Sequence, residues 1–188
     1  MDYSRFLVGL ADLKSYLNKT DTGDDDELGF VLGAVHAEMD LTTRRTLYET
    51  AHTEYQDGND TDGLFLENWP VSAVTSVNVD GLRDFGTDTL EDSGDYFTNT
   101  ELGIIYHNSG TWPAGHANIK VVYTAGYTAD TVPADLQRVV LELASIAWQK
   151  RKNKNHDVSS ESGGDKSRTY FTEPYPPHIE EIIAGYRR

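Results

Sequence analysis

The sequence predicts an α+β fold: an antiparallel helical bundle of about four helices, with a small antiparallel β-sheet or sandwich inserted between the second and third. Three observations predict it. Leu28, Val31, Leu32, Val35 and Met39 recur at helical spacing, and Leu136, Val139, Val140, Leu143 and Ala147 do so again a hundred-odd residues later. Between these stretches lie five to seven short β-textured runs separated by turn residues, without the regular alternation that would predict a doubly wound sheet. The last of these runs, Asn118 to Thr124, feeds the third helix directly through Ala125-Gly126-Tyr127, which predicts a core of sheet against helix.

Taken in order, residues 4–18 form a short helix with a stripe of Phe6, Leu10, Leu13 and Leu17. After the polar break Asn18 to Gly23, Asp24 with Glu27 three residues on opens the second helix as a variant capping box, and Asp25 and Asp26 suit its N-terminal dipole. Gly29 and Gly33 inside that helix either let another element approach closely or are simply tolerated at about 1 kcal/mol each against Ala. Strands are expected at Thr53–Gln56, Leu64–Leu66, Val74–Val79, Tyr96–Thr98 and Ile104–Tyr106, with Asp80-Gly81 as a turn and Leu82 to Gly94 as a protruding polar loop. Pro133 and Asp135 begin the third helix, and Lys150, Arg151 and Lys152 end it with the charge a helix C-terminus favours. Residues 153–173 are polar and Gly/Ser-rich, the composition of a mobile loop. A last helix from Pro177 carries Ile179, Ile182, Ile183 and Tyr186 on one stripe, anchored by Tyr175 and Pro176 before it. The expected organisation is therefore 1–152 as a bundle with its β insertion (about 53–124), 153–173 as loop and 174–188 as a terminal helix or tail.

Composition narrows the function. Residues 1–133 hold 7 Lys/Arg against 23 Asp/Glu (net −16), and residues 134–188 hold 9 against 8 (net +1), for a total of −15. A body this acidic does not bind nucleic acid by neutralising phosphates. It suits either a saline environment or a surface past which DNA moves without sticking. With no cysteine in the chain, disulfides, thiolate metal sites and a cysteine nucleophile are excluded. Neither a membrane-spanning apolar run nor an export signal is expected, so the Asn-x-Thr matches at Asn18 and Asn59 read as chance. No phosphate-cradling loop, nucleophile elbow or His-Glu-x-x-His occurs. Asp57 to Gly63 places oxygen ligands at alternate positions, but Asp62 and Asn68 stand where a calcium loop needs Gly and Glu, and the same residues are ordinary turn formers. The serines at 159, 160 and 162 fall in the loop, where a nucleophile lacks rigid support. No enzyme, metal or cofactor is expected. His36 is expected as a structural histidine at or near the surface. Trp69 and Trp112 suit core or interface use better than a sugar-stacking surface.

The order of pieces resembles the head–tail connector (adaptor, or head-completion) proteins of tailed bacteriophages. The resemblance rests on Leu10-Ala-Asp-Leu-Lys-Ser-Tyr-Leu17, the helix from Asp24 ending in Thr42-Thr-Arg-Arg45, and Thr53-Glu-Tyr-Gln-Asp-Gly58. It continues through Trp69-Pro-Val-Ser-Ala-Val-Thr-Ser-Val-Asn-Val-Asp-Gly81, Val121-Val-Tyr-Thr-Ala-Gly-Tyr127 running into Val132-Pro-Ala-Asp-Leu136, and the closing Ile182-Ile-Ala-Gly-Tyr-Arg-Arg188. It covers nearly the whole chain; Leu82 to Asp95 and Asn153 to Thr172 are longer than the family minimum. The resemblance implies a structural virion protein assembled into a ring, usually dodecameric, beneath the portal protein. A stopper or tail-completion protein would dock on its other side, and double-stranded DNA would pass through the channel without specific binding. On this basis the tail residues Pro177, Ile179, Ile182, Ile183, Tyr186, Arg187 and Arg188 are expected to bind portal. Asp84, Asp88, Glu91, Asp92 and Asp95 are expected on a loop facing the channel or a partner. The rival readings are another neck or tail ring protein (stopper or tail terminator), a carbohydrate-binding module using Trp69 and Trp112, and an acidic hydrolase.

Overall fold

The computed structural model describes residues 6–152, 160–163, 166–169 and 175–187. Among these the fold is α+β, with four α-helices and antiparallel sheets. The chain divides into two compact units, one of residues 1–44 with 129–188 and the other of residues 45–128.

The first unit is helical. It holds α1 (Leu10–Tyr16), α2 (Asp25–Thr43), α3 (Ala134–Lys152) and α4 (Pro177–Gly185). Phe6 does not join α1, which starts only at Leu10; its ring stacks instead on His36 of α2, centroids 4.6 Å apart. Gly33 makes room for it, since a Cβ there would meet the Phe6 ring at 3.3 Å. Leu28, Leu32 and Met39 of α2 and Leu136, Val139 and Val140 of α3 are fully or almost fully buried, and α1, α2 and α4 all pack on α3. The helix ends explain the directions. Lys152, at the C-terminus of α3, reaches Asp24 at the start of α2 (3.3 Å), and Lys19 reaches the same carboxylate at 2.7 Å. Opposite dipole ends and opposite charges thus meet, which sets α2 and α3 antiparallel. Lys19 and then Lys152 hold the Asp24 carboxyl below its ordinary range. Part of the 153–173 loop lies outside the described residues. Within it a two-stranded antiparallel pair is present, β7 (Ser160–Gly163) with β8 (Lys166–Thr169), which the polar composition does not announce.

The second unit is a β-structure whose strands lie between α2 and α3 in the chain. β1 (Thr50–Gly58), β3 (Val71–Val79) and β6 (Gly115–Ala125) form one sheet in the order β1-β6-β3, and β2 (Gly63–Phe65), β4 (Tyr96–Asn99) and β5 (Ile104–His107) form another in the order β2-β5-β4. The two sheets share one core. Ile119, Val121 and Tyr123 of β6 and Val77 of β3 meet Leu64 of β2, Ile105 of β5 and Trp112. The strict alternation read at residues 118–124 is what produces this, because successive β6 side chains fall on opposite faces. Its inner residues Ile119, Val121, Tyr123 and Ala125 are fully buried. β6 therefore completes the core of the β unit, while α3 packs among the helices of its own unit. Strands also run longer than their alternation alone marks: β1 extends from Thr50 and β6 from Gly115, because sheet pairing recruits polar flanks that have no apolar period of their own.

Candidate functional site

Two candidate contact regions follow from the sequence, and each belongs to one unit. In the helical unit, α4 lies along its own helices. Ile179 and Ile183 are fully buried, Ile182 and Tyr186 are half-buried, and Pro177 and Arg187 are exposed; Arg188 lies outside the described residues. Pro177 occupies the first helical position, where its missing N–H is no loss. Polar contacts from four of its residues pin the segment. Tyr175 donates to Glu38 Oε1 (2.8 Å) and sits 3.1 Å from the Thr42 hydroxyl. Burial raises the Tyr175 phenol above its ordinary value; Thr42 opposes the rise and Glu38 adds to it. His178 pairs with Glu142 at 2.9 Å. Tyr186 donates to Asp135 (2.7 Å), and Arg187 Nε donates to the Thr42 carbonyl at 3.0 Å. Since α2 has no basic residue in its own last turn, Arg187 supplies the cation its C-terminus favours.

The structure thus gathers the predicted tail residues on one helix, but turns the apolar ones inward. In this state a partner can reach Pro177, Arg187 and the outer side of α4, and not Ile179 or Ile183. Sequence reading located the helix and its anchor Tyr175. It missed Glu38, Thr42 and Asp135 as the groups that hold it, because partners more than fifty residues away in the chain leave no local signal.

In the β unit, the segment 82–95 does not stand free. The Asp80 carboxylate accepts the backbone N–H groups of Leu82 (2.8 Å), Asp84 (2.8 Å) and Phe85 (2.9 Å). These bonds, that of Phe85 foremost, hold the Asp80 carboxyl below its ordinary range. A 3-10 turn follows at Thr87–Thr89. Asn78 then donates to the Gly86 carbonyl (3.2 Å), and Glu91 N–H to the Val77 carbonyl (2.9 Å). The loop is therefore laced to β3. Asp84, Asp88, Asp92 and Asp95 are exposed and Glu91 is half-buried. Asp92 also accepts the Gly94 N–H at 3.1 Å.

The remaining candidates resolve as structure. Asp57 accepts the Ala117 N–H (2.6 Å) and faces His116, while Asp60 accepts the Ala114 N–H (2.9 Å). These carboxylates spend their lone pairs closing the loop on its own backbone. Among the described residues no cluster of three potential metal ligands occurs. Trp112 is buried and donates Nε1–H to the Ile105 carbonyl (3.1 Å), and Trp69 lies under the Arg45 guanidinium at 3.8 Å, so neither offers a free ring to a sugar. His36 is more buried than its sequence surroundings imply: Nδ1–H donates to the Leu32 carbonyl (2.8 Å), Nε2 accepts the Val8 N–H (3.4 Å), and burial lowers its pKa. No helix among the described residues is long and apolar enough to cross a membrane.

The structure comprises a helical unit with a latched terminal helix and a small sandwich with an acidic loop laced to β3. The Head completion protein family matches over residues 7–188, nearly the whole chain, and the chain belongs to that family. No curated protein sequence matches significantly. Among solved structures the fold is similar to a chain in the neck of an empty GTA particle computed with C6 symmetry, with a TM-score of 0.65 and 18% identity over 100% of this chain and 92% of that one. A chain in the virion of a native gene transfer agent (GTA) particle matches with a TM-score of 0.65 and 18% identity, over 96% of this chain and 89% of that one. One in the neck of a native GTA particle computed with C12 symmetry matches with a TM-score of 0.61 and 20% identity, over 95% and 87%.

Proposed function

We propose that this chain is a structural virion protein of the neck: a head–tail connector adaptor that forms a ring beneath the portal, extends the DNA channel and offers the docking surface for the stopper or tail. What carries the reading is membership of the Head completion protein family across residues 7–188. The fold's likeness, end to end, to chains of GTA necks computed with C6 and C12 symmetry agrees with it. The reading treats residues 1–152 as the bundle with its β insertion, 153–173 as the segment that allows movement and 174–188 as the tail.

In this reading the tail works by exchange. Free in solution, α4 covers its own helical unit with Ile179 and Ile183. On assembly the helix leaves that site, and the same apolar stripe with Arg187 and Arg188 engages the portal. It is held by a few polar contacts and a stripe of only two fully buried isoleucines, so its release costs less than unfolding the unit. The acidic loop has a different task. Carboxylates of Asp84, Asp88, Glu91, Asp92 and Asp95 facing the channel repel the phosphates of passing DNA and keep it from adhering. Deleting residues 174–188 tests the reading: the shortened chain should remain folded and fail to join portal rings in negative-stain electron microscopy. A shortened chain that still stacks under the portal rules out the tail as the docking element.

A further inference from the structure

The β unit carries two exposed apolar patches, and the register places them on opposite outer faces of the sandwich. Directly paired residues in neighbouring strands point to the same side. In β2-β5-β4, Leu64 pairs with Ile105 and Ile105 with Thr98, and these face the shared core. The alternate positions face away: Gly63 pairs with Tyr106 and Tyr106 with Phe97, while Phe65 pairs with Ile104, which is itself buried. Phe65 is 60% exposed and Phe97 58%, and the Phe97 ring stacks on Tyr106 with centroids 6.5 Å apart. The Tyr106 ring lies beside Gly63, where a Cβ would meet it at 3.4 Å.

The second patch lies on the far side of the other sheet. Tyr55 of β1 pairs with Lys120 of β6, between the inward residues Ile119 and Val121. The turn held by Asp80 folds over this outer face: the Phe85 ring lies 5.4 Å from that of Tyr55, and Lys120 Nζ stands 5.8 Å over it. Leu82 in the same turn is 82% exposed.

Charge says what such a pair of faces is for. Residues 45–128 hold three Lys/Arg against thirteen Asp/Glu, a net −10, so two copies repel over most of their surface. The outward residues of the first patch are uncharged, with exposed Asp62 and Glu101 at its ends. The second patch holds Lys120 and has Arg83 beside the exposed Asp84 in its turn; the third cation, Arg45, is buried. One face is apolar with an acidic rim, and the other is apolar with the unit's only accessible cations. The acids at the rim of the first can meet the cations of the second, whereas two copies of the first would bring like charges together. A contact between unlike faces of identical chains is the kind that closes into a ring.

We propose that the Phe65–Phe97–Tyr106 face of one copy packs on the Tyr55–Leu82–Phe85–Lys120 face of the next, so that the β units form the subunit contact of the ring. The inference rests on the ring reading given above and adds to it the surface by which the ring closes. It also refines the loop: Leu82 and Phe85 serve the contact, and the exposed carboxylates, Asp84 included, are left to the channel.

The absence of cysteine permits a clean test. Phe97→Cys and Leu82→Cys are made singly and together in the full chain, mixed with portal, and treated with a short bismaleimide. Both positions are exposed, so folding is unaffected, which circular dichroism of each variant checks. The double variant should give a ladder of dimer, trimer and higher species. Each single variant alone should stay monomeric, and an equal mixture of the two should stop at dimer. Crosslinking of Phe97→Cys to itself would overturn the head-to-tail arrangement. Rings visible under the portal with no crosslink in the double variant would leave the ring reading intact and remove this interface. Failure of the unmodified chain to form rings at all would remove both.

Discussion

The Tyr186 phenol donates to the Asp135 carboxylate across 2.7 Å, fastening the last turn of α4 to the first turn of α3. At the other end of the same short helix Tyr175 is fastened to Glu38 of α2. Between these ties the helix buries two isoleucines. An element of nine residues held by two phenols and a narrow apolar stripe is among the parts of the fold that open before the rest does.

Tyr175→Phe removes the upper tie while keeping the ring that fills the site. It should weaken the docking of α4 by about 1 kcal/mol, the net worth of a typical hydrogen bond. Amide exchange within α4 should then quicken roughly fivefold with the global unfolding midpoint almost unmoved. If the tail must leave its site to meet the portal, the competent fraction rises by the same factor and apparent portal affinity tightens about fivefold. Weaker portal binding by this variant would show that the docked tail is the binding form.

His36 sets a pH dependence. Burial lowers its folded pKa below the ordinary value of about 6.5. The unfolded chain therefore binds the proton first as pH falls, and stability is intact above about 6.5 and declines below it. Asp21, Asp24, Asp57 and Asp80 are shifted downward from 3.8 and contribute losses only at much lower pH. Thermal melts between pH 7.5 and 5 should thus show a falling midpoint. His52 in the β unit adds to the slope, since burial lowers it too. His36→Gln should flatten the part of the slope that belongs to the helical unit, read by exchange of the Val8 amide. An unchanged slope at Val8 would assign the whole effect to His52.

Arg45 is 5% exposed, with its guanidinium 3.8 Å above the Trp69 ring and 5.9 Å from that of Tyr127, and it donates to the Trp69 carbonyl. Planarity is what permits both stacking and donation, so Arg45→Lys is not conservative here. Replacement by Lys should cost about 1–2 kcal/mol and by Ala about 2–4 kcal/mol, since truncation strands a buried carbonyl and opens a void. Urea unfolding followed by tryptophan fluorescence measures both, and equal stability of Arg45→Lys and the native chain would show that the stack contributes nothing.

The channel role proposed for the loop predicts an effect without a structural cost. Asp84, Asp88, Asp92 and Asp95 are exposed, so exchange of these four and Glu91 for their amides should move stability by no more than about 0.5 kcal/mol per site. Asp92→Asn keeps an oxygen for the Gly94 N–H. Particles assembled with the neutralised chain should hold DNA more tightly and release it more slowly, and the difference should shrink as salt rises. Identical release kinetics at low salt would place the lining elsewhere.

Elements with a strong local period were legible in the sequence. The stripes of α2 and α3, the alternation of β6 and the Pro-started α4 all appear where the spacing puts them, because each buries one face and the period records which. What the spacing did not reveal is partnership. Within the stretch 118–152, the partners that bury Tyr123, Leu64 and Ile105 of the second sheet, and those that bury Val139, the other helices, could not be read from its spacing. Phe6 has the spacing of α1 and serves α2 instead. Arg45, the Tyr175 latch and the Asp80 turn are contacts between residues whose positions carry no periodic signal. The exposed aromatics Phe65 and Phe97 were hidden for a related reason: each adjoins an inward residue in a very short strand, where alternation has too few positions to separate the faces.

Gly126 shows how much one residue of the Ala-Gly-Tyr turn decides. Its φ is +114°, a conformation side chains rarely adopt, and a Cβ there would stand 2.5 Å from the Tyr48 carbonyl carbon and oxygen. Its N–H donates to the Pro70 carbonyl at 2.8 Å, so the backbone cannot shift aside without breaking that bond. Gly126→Ala should therefore combine strain with collision and destabilise the β unit by about 3 kcal/mol or more. Gly81 is the internal control: nothing lies within 4 Å of a Cβ built there, and Gly81→Ala should stay within about 0.5 kcal/mol of the native chain. Paired urea titrations read the difference directly. Equal midpoints for the two variants would mean that the Tyr48 strand yields to the added methyl, and that the turn is not fixed by the close approach seen at Gly126.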